Sequence, residues 1–324
     1  MTRAMGLISG GLDSILAARL MIEQGIVVVG ISFVTPFFSS QGAERAAAAL
    51  GIPLKVLDIT DPHLAMLRRP RHGYGNNMNP CIDCHILMLR EAGRVMEEEG
   101  GAFLFTGEVL GQRPMSQNKG ALRTVERESG YAGLILRPLS AQLLPETIPE
   151  QEEKVAREQL LGIRGRSRKE QLALAQRYHI TEYLSPAGGC LLTDPVFSRR
   201  LRDLFGQKDP FQIRDIELLK IGRHLRLAPA LKAIVGRNAQ DNEKILQLAA
   251  PGDDLLKVAE YPGPLCLIPY GGAAEDVKQA ASLCVRYSDA PADEVVSVLW
   301  SRGGEERRID AQSCPETLPA GLMI

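Results

Sequence analysis

The stretch Ser9-Gly10-Gly11-Leu12-Asp13-Ser14 combines residue types that suit the binding of phosphate. It joins an apolar run, Met5–Ile8, to a helix-like segment, Ile15–Gln24, so it predicts a strand, a glycine turn and a helix start. Two glycines let the backbone turn sharply and approach an anion closely. The two serines and the free N–H groups of the first helical turn add donors where the helix dipole is positive. We therefore expect this loop to bind phosphate.

The aspartate in this stretch sets it apart from the common P-loop. A loop of the G-x-x-x-x-G-K-[ST] type needs a lysine after its second glycine, where this sequence has Asp13. The stretch instead resembles the PP-loop of the N-type ATP pyrophosphatases. The resemblance implies that ATP is cut between its α- and β-phosphates, and that Asp13 helps to hold Mg²⁺ against the charge of the leaving pyrophosphate. A plain glycine turn with an aspartate N-cap is the alternative.

Length and composition bound the class of protein. At 324 residues and 45% hydrophobic content, the chain is long enough for two globular domains, each with its own core. It has no run of about eighteen apolar residues, and its first residues lead directly into the first predicted strand. We therefore expect a cytoplasmic protein without a membrane span.

The charge is unevenly distributed along the chain. The formal net charge is −1, but Lys154–Arg237 holds seventeen Lys or Arg against eight Asp or Glu, a local net charge of +9. A basic middle is expected of a protein that meets a polyanion on one face. Solvated helix faces would give the same count, and both interpretations stay open.

Apolar runs and helix-like segments alternate after the phosphate loop. Ile26–Phe33 and Pro53–Ile59 are typical of buried parallel strands, with a short alanine-rich helix over Gln41–Leu50 between them. This order predicts an α/β fold with a doubly wound parallel sheet. Ligands of such sheets bind beyond the C-terminal ends of the strands, so we expect the segment Phe33–Phe38 to cover an adenine.

Local signals predict three further segments. Thr60–Pro80 shows little periodicity and is predicted to be irregular. Ala102–Phe105 is a further strand, and Thr106 and Gly107 at its end should help to close the nucleotide site, with a plain loop as the alternative. The run Ser167-Arg-Lys-Glu170 predicts a capping box that opens a helix to Tyr178.

Three ordered motifs point to a narrower family: Cys81-Ile-Asp-Cys84-His-Ile-Leu-Met-Leu-Arg90, Gly107-Glu-Val-Leu-Gly-Gln112 and Leu136-Arg-Pro-Leu139. With the phosphate loop they resemble the PP-loop domain of tRNA 4-thiouridine synthetases, over roughly residues 4 to 205. The resemblance implies that ATP adenylates a uridine carbonyl oxygen of tRNA and that sulfur then displaces AMP. Uridine 8 is the first expected target. The alternatives are 2-thiouridine at the wobble position, sulfur transfer to a small molecule, and a non-catalytic, ATP-gated RNA-binding module.

The sequence also predicts where the chain divides. Gly206–Pro210 is the best candidate for a boundary, which gives a PP-loop domain over 1–206 and a smaller α+β domain over 207–324. In the second domain, Val235–Glu243 resembles the RNA-associated NFACT-R module. That resemblance implies tRNA as partner, with four phosphate contacts at Arg223, Arg226, Lys232 and Arg237. The end of the chain, Ser301–Ile324, is polar and predicted to be irregular.

Three of the six cysteines lie in the predicted PP-loop domain. Cys81 and Cys84 open a predicted helix, where both thiols can reach one metal and the helix N-terminus should lower their pKa values. Cys190 ends a glycine-rich loop, Ser185–Cys190. A structural zinc with His85 is an alternative, although a residue adjacent to Cys84 points elsewhere on a helix.

Two sulfur chemistries fit these cysteines. In one, Cys84 and Cys190 alternate as persulfide carrier and resolving thiol. In the other, which some thiolation enzymes of this superfamily use, Cys81, Cys84 and Cys190 hold a [4Fe–4S] cluster with one open iron. We favour the cluster because it uses all three thiols. The sulfur donor, either a cysteine desulfurase or inorganic sulfide, and the oligomeric state, including a homodimer, are left open.

Overall fold

The computed structural model describes residues 1–184, 189–207 and 210–324. The chain forms two units, Met1–Thr193 and Asp194–Ile324. Within the described ranges, no helix combines the length and apolarity needed to cross a membrane.

The first unit alternates strands and helices. Its strands are β1 (Arg3–Leu7), β2 (Val27–Val34), β3 (Leu54–Asp58), β4 (Phe103–Phe105) and β5 (Ile135–Leu136). Its helices are α1 (Leu12–Glu23), α2 (Gln41–Leu50), α3 (Thr60–Arg68), α4 (Cys81–Glu98), α5 (Lys119–Ser129), α6 (Ile148–Gln151) and α7 (Lys169–Arg177). Short 3-10 turns cover Ala141–Leu143, Arg157–Gln159 and Leu191–Thr193.

The five strands form one parallel sheet in the order β3-β2-β1-β4-β5. The chain moves outward from β1 to β3 and then crosses back to β4 on the other side. The switch point therefore lies between β1 and β4, where sheets of this kind bind their ligands. The predicted doubly wound parallel sheet is confirmed.

Apolar side chains cover both faces of this sheet. On one face, α1 and α2 bury residues such as Leu16 and Ala43 in a cluster that also includes Ala175 of α7. On the other face, α4 and α5 bury Leu89 and Val125. Because strands covered on both faces have no solvent side, β2 is apolar almost throughout.

The segment after β3 corrects one expectation. Of the stretch Thr60–Pro80, predicted to be irregular, Thr60–Arg68 is a helix, whereas 69–80 contains neither helix nor strand, as predicted. The Thr60 N–H donates to Asp58 Oδ1 at 2.8 Å, and His63 and Leu67, four residues apart, bury one face. Two inward positions in nine residues are too few to produce a visible period, which is why the sequence pattern misses this helix.

The predicted capping box before α7 is also wrong in detail. Arg168 is the N-cap residue, and no side chain caps the helix. The Ser167 hydroxyl only approaches the Lys169 N–H, at 3.5 Å. The start of α7 is therefore left with polar groups that the helix itself does not satisfy.

The second unit is α+β. Its strands are β6 (Arg223–Ala228), β7 (Leu231–Val235), β8 (Asp254–Val258), β9 (Cys266–Ile268), β10 (Val295–Arg302) and β11 (Glu305–Gln312). Its helices are α8 (Pro195–Gln207), α9 (Ile213–Leu218), α10 (Ala239–Leu248), α11 (Ala274–Arg286) and α12 (Leu318–Leu322). The strands form an antiparallel sheet in the order β11-β10-β8-β9-β7-β6, and α11 buries its apolar face against it.

The polar C-terminal segment corrects another expectation. Instead of being irregular, it pairs β11 with β10 along eight residues of each strand. Gly303 and Gly304, both with positive φ, make the turn between the two strands. A Gly-Gly pair is a known hairpin signal, so the sequence did contain evidence for this pair of strands.

The two units divide between Thr193 and Asp194, thirteen residues before the predicted boundary. The reason lies in α8, which belongs to the second unit. Its Arg200 is buried and donates to Leu219 O at 2.8 Å and to Gly222 O at 3.0 Å. Both carbonyls lie just after α9, so these bonds join α8 to the second unit.

Candidate active site

The phosphate loop leads from β1 into α1, as predicted. Gly10 has a φ of +81°, and a Cβ there would overlap the backbone of Gly42, so the fold itself requires glycine. Gly11 has ordinary extended angles, φ −79° and ψ 152°. The nearest atom to a Cβ at Gly11 would be Ser9 Oγ, at 3.4 Å. Gly11 therefore keeps open a space that none of the described residues fills.

The two serines of the loop stabilise its shape. Ser14 Oγ donates to Gly11 O at 2.8 Å, and the Ser9 N–H donates to Ser14 Oγ at 3.3 Å. In the first turn of α1 the Ser14 N–H donates to Gly11 O at 3.1 Å, whereas the Leu12 and Asp13 N–H groups precede the first intrahelical bonds, and the helix dipole favours negative charge beside them. The loop thus has the geometry of an anion site.

Asp13 has one satisfied and one unsatisfied carboxylate oxygen. Oδ2 accepts from Gln112 Nε2 at 3.0 Å, whereas Oδ1 is buried and has no hydrogen-bond partner among the described residues. Burial raises the pKa of Asp13, partly offset by the Gln112 bond and by the charges of Arg168 and Arg113. An unpaired carboxylate oxygen beside a phosphate loop fits Mg²⁺, which prefers oxygen ligands.

The loop after β4 closes directly on the phosphate loop. A Cβ on Gly107 would lie 2.5 Å from the backbone carbonyl carbon of Asp13, so only glycine permits this approach. Thr106 is buried, and its hydroxyl donates to Glu108 Oε2 at 3.1 Å. The two residues predicted to close the site therefore lie beside it.

Phe33 does not fit its expected role. Its side chain is only 5% exposed and packs with Ile31, Ile59 and Ile86 in the core between the sheet and α4. A ring enclosed by aliphatic side chains offers no face to an adenine. Alternation along β2 turns Phe33 into the core, which the nearly continuous apolar run could not reveal.

A buried ion network that the sequence did not predict lies next to the site. Glu108 is 5% exposed, and its carboxylate accepts from His85 Nδ1 at 2.8 Å and from Arg137 Nε at 3.1 Å. Burial alone would raise the pKa of Glu108, but Arg137 and His85 outweigh it and lower the pKa to about 2. Glu108 thus links the loop after β4 to the start of α4 and the end of β5. All three residues lie within the quoted motifs, which is the signal that could have indicated their contact.

The three predicted cysteines come close to one another. Burial raises the pKa of the Cys84 thiol well above its usual value, and the nearby Cys190 and Cys81 raise it further. Burial also raises the pKa of Cys190, to about 11, with a contribution from Cys81. The expectation that the helix N-terminus lowers the pKa is therefore wrong for Cys84, because burial outweighs the helix dipole.

Backbone hydrogen bonds place Cys190 at the edge of the sheet that carries the phosphate loop. The Leu184 N–H donates to Gly10 O at 2.9 Å, and the Leu191 N–H donates to Phe37 O at 3.0 Å. The first four residues of the predicted Ser185–Cys190 loop lie outside the described residues. The phosphate loop and the thiols thus lie at the same edge of the sheet.

The thiols have the right chemistry for a metal but not the spacing of a metal-bound site. Three cysteines are the donor set of an iron–sulfur cluster with one open iron. Across residues 1–184, 189–207 and 210–324, however, no three His, Cys, Asp or Glu side chains are grouped so that they could hold a metal ion.

His63 is a neighbour of Cys84 that the sequence did not indicate. Its Nε2 lies 3.6 Å from Cys84 Sγ, and the rings of Phe37 and Phe38 lie 5.5 Å from the imidazole. Burial lowers the pKa of His63 to about 4, so the imidazole is neutral at neutral pH. No sequence spacing connects a residue of α3 with the first turn of α4.

The cations predicted to contact RNA lie in or near the hairpin of β6 and β7, at Arg223, Arg226, Lys232 and Arg237. Two of them form ion pairs, Arg226 with Asp203 and Arg237 with Asp241. Arg223 donates to Gly236 O at 3.2 Å and lies over the Tyr287 ring. Burial lowers the pKa of Lys232 to about 8. These side chains therefore also stabilise the unit itself.

Two stretches of the chain match models of known protein families. Residues 1–143 match the family described as thiamine biosynthesis protein (ThiI). Residues 222–317 match the family described as NFACT protein RNA binding domain. The first match includes the phosphate loop, Cys81 and Cys84, and the second includes the hairpin of β6 and β7.

Solved structures give more distant similarities. The C-terminal part of the fibronectin/fibrinogen-binding protein from Streptococcus suis is 15% identical, with a TM-score of 0.30 over 75% of this chain and 90% of that chain. A predicted subunit of tRNA methyltransferase from Methanocaldococcus jannaschii is 17% identical, with a TM-score of 0.36 over 55% and 76%. A 4-thiouridine synthetase, solved in complex with RNA and bound ATP, is 22% identical, with a TM-score of 0.38 over 68% and 52%.

The family matches each cover one part of the chain and agree with the motifs that lie within them. The chain is therefore similar to the ThiI family over residues 1–143 and to the NFACT RNA binding domain family over residues 222–317.

Proposed function

We propose that this protein uses ATP to thiolate a uridine of tRNA. The observation that carries the proposal is the meeting of a phosphate loop and three thiols at one edge of the sheet. A nucleotide site alone would fit many reactions, and a thiol cluster alone would fit metal storage or redox chemistry. Their combination fits a reaction in which an adenylated intermediate meets sulfur. The match of the second unit to an RNA-binding domain supports tRNA as the substrate.

The reaction has two steps. The uridine carbonyl oxygen attacks the α-phosphorus of ATP, the bond to the β-phosphate breaks, and pyrophosphate leaves from the phosphate loop. Sulfur then attacks the ring carbon that bears this oxygen, the C–O bond breaks, and AMP leaves. The space at Gly11 accommodates the phosphates, and the N–H groups at the start of α1 bind them through the first step.

Asp13 is the residue that would hold Mg²⁺, because its Oδ1 is buried and unpaired. Mg²⁺ offsets the charge that develops on the leaving pyrophosphate. The Gln112 bond to Oδ2 fixes the orientation of the carboxylate, so Oδ1 is turned toward a ligand without a further rearrangement. Gly107 brings the loop after β4 into close approach to the backbone of Asp13 and Ser14.

Within this proposal, a [4Fe–4S] cluster on Cys81, Cys84 and Cys190 is our preferred sulfur carrier. The donor set fits, and the cluster would present one open iron to sulfide. Without a metal the thiols of Cys84 and Cys190 are protonated at neutral pH, and binding a cluster would deprotonate them. Because the described residues are not spaced as a bound site, we derive no step through the cluster.

Anaerobic preparation tests the cluster. We expect a brown protein that absorbs near about 400 nm and carries about four irons per chain. Cys81→Ala should remove both the iron and tRNA thiolation while leaving ATP binding intact. A colourless protein that is fully active would favour the persulfide relay of Cys84 and Cys190, and zinc in place of iron would favour the structural zinc.

Nucleoside analysis of tRNA from a deletion strain tests the function itself. We expect loss of 4-thiouridine at position 8, and loss of wobble 2-thiouridine instead would move the target to that position. Unchanged levels of both would contradict tRNA thiolation.

One comparison favours a second candidate function. The family matched by residues 1–143 is described as thiamine biosynthesis, so sulfur transfer to a small thiamine precursor is the alternative. A thiamine requirement of the deletion strain, with unchanged tRNA thiolation, would favour it.

A further inference from the structure

Gln171, on the first turn of α7, is a buried amide that the protein leaves unsatisfied. Its side chain is fully buried, and neither Oε1 nor Nε2 has a hydrogen-bond partner among the described residues. Buried amides are nearly always paired, because an unpaired one loses its hydration without compensation. Such a group indicates a ligand or water that binds it.

The Gln171 amide faces the phosphate loop. It lies beside the Asp13 carboxyl but beyond the hydrogen-bond distance of 3.5 Å. The helices α7 and α1 pack against each other, and the Tyr178 hydroxyl donates to Glu23 where both helices end, so the start of α7 lies on the same side as the start of α1. Two polar groups, each with a buried atom that has no partner among the described residues, therefore lie side by side at the phosphate loop.

Arg168, the N-cap of α7, points to the same place. It lies three residues before Gln171 at the start of the same helix, and its Nε is buried without a partner within the described part of the chain. The unpaired atoms here are two acceptors, Asp13 Oδ1 and Gln171 Oε1, and two donors, Arg168 Nε and Gln171 Nε2. A magnesium pyrophosphate offers oxygens to the two donors and a cation to the two acceptors.

We propose that Arg168 and Gln171 line the ATP site beside the phosphate loop and donate hydrogen bonds to the β- and γ-phosphate oxygens. This inference rests on the proposed use of ATP. It extends the site beyond residue 143, where the match to the ThiI family ends. The two residues distinguish ATP from AMP, because AMP has no phosphate that reaches them.

Titration calorimetry on the full-length protein tests the proposal. The ligands are magnesium pyrophosphate, the uncleavable analogue α,β-methylene-ATP and AMP. We expect Arg168→Met and Gln171→Leu each to weaken pyrophosphate and analogue binding by about tenfold or more, and to leave AMP binding within about twofold. Matched controls on the exposed side of the same helix, Gln176→Leu and Arg177→Met, should bind all three ligands like the unsubstituted protein.

Thermal unfolding separates a ligand contact from a structural role. Gln171→Leu should melt at the same or a higher temperature without ligand, since an unpaired amide is removed, and should gain less stability from the analogue. If Gln171→Leu does not fold, Gln171→Met, closer in shape, replaces it.

Each outcome decides something different. Unchanged pyrophosphate affinity in both variants, with normal binding by the unsubstituted protein, would overturn this inference and leave the proposed function intact. Equal losses for AMP and pyrophosphate would mean a general structural role and overturn it as well. An unsubstituted protein that binds neither pyrophosphate nor the analogue would overturn both the proposed function and this inference.

Discussion

Gly10 and Gly11 stand side by side in the phosphate loop for different physical reasons. Gly10 has a left-handed backbone and contacts Gly42, so its small size serves the fold. Gly11 has angles open to any residue and faces space that no described residue fills, so we expect its small size to serve a ligand. Adjacent substitutions should therefore separate stability from activity.

We expect Gly11→Val to abolish AMP and pyrophosphate formation while lowering stability by no more than about 1 kcal/mol, the cost of a poor N-cap. The branched side chain fits the protein but occupies the space for the phosphates. Gly10→Ala should instead lower the free energy of unfolding by about 2 kcal/mol or more, because it is strained and overlaps Gly42. Urea unfolding and chromatography of the nucleotide products check both. An active Gly11→Val or a fully stable Gly10→Ala would contradict this assignment.

Only some residues of the site could be predicted from sequence. Ser9, Asp13 and Ser14 were predictable because a contiguous motif places them on one turn. Glu108 and His85 meet only after the strands and α4 are assembled, so their contact has no signal in spacing. An unpaired atom such as those of Gln171 becomes visible only when all its neighbours are in place.

At the scale of elements, Glu108 joins three pieces of the first unit that are far apart in sequence. Its carboxylate binds His85 at the start of α4, Arg137 after β5 and Thr106 after β4. The network therefore holds the cysteine-bearing end of α4 against the loops of the nucleotide site.

The pH dependence of stability should report this network. Because the folded-state pKa of Glu108 is lowered from 4.5 to about 2, its stabilisation is fully present above pH 4.5 and is lost as pH falls through about 2. We expect Glu108→Gln to cost about 3 kcal/mol at pH 7, and the difference from the unsubstituted protein to shrink as pH falls below 4.5. Urea unfolding from pH 7 to pH 3 measures it. Glu126→Gln, a more exposed partner of Arg137, is the control and should cost less than about 1 kcal/mol. A cost that stays constant with pH would contradict the assignment.

The hairpin of β6 and β7 calls for neutral substitutions in an RNA-binding test. Charge reversal at Arg226 or Arg237 would place a carboxylate beside Asp203 or Asp241 and disturb the fold. We expect Arg223→Gln together with Arg237→Gln to weaken tRNA binding and to flatten its salt dependence, by about one unit of slope for each lost phosphate contact. Filter binding across a salt series measures both. Arg94→Gln on α4, paired with Glu91, is the control. Unchanged affinity would move the RNA site to the basic stretch between Lys154 and Arg177.

At the scale of the whole molecule, the sequence predicted the class of each unit better than the line between them. The alternation of apolar runs identified the parallel sheet, since strands covered on both faces are apolar throughout. The boundary depends on Arg200, whose partners Leu219 and Gly222 lie beyond the polar stretch that looked like a linker. Composition identifies polar segments but does not show to which unit a neighbouring helix belongs.

Fragment expression tests the boundary. We expect residues 194–324 to fold cooperatively, whereas 207–324 should be unstable. The shorter fragment loses the buried Leu201 and Leu204, and it leaves the Leu219 and Gly222 carbonyls without their donor. Circular dichroism during thermal unfolding compares the two fragments. A shorter fragment that melts like the longer one would restore the boundary at residue 206.

The backbone bonds at Leu184 and Leu191 also limit how this protein could change over generations. Both ends of the segment around Cys190 are anchored, one to Gly10 and the other to Phe37. Surface loops commonly tolerate inserted or deleted residues, but between two fixed ends a change in length would move the Cys190 thiol. We expect relatives to vary the residue types within this span while keeping its length, so that new specificities arise by substitution and not by insertion.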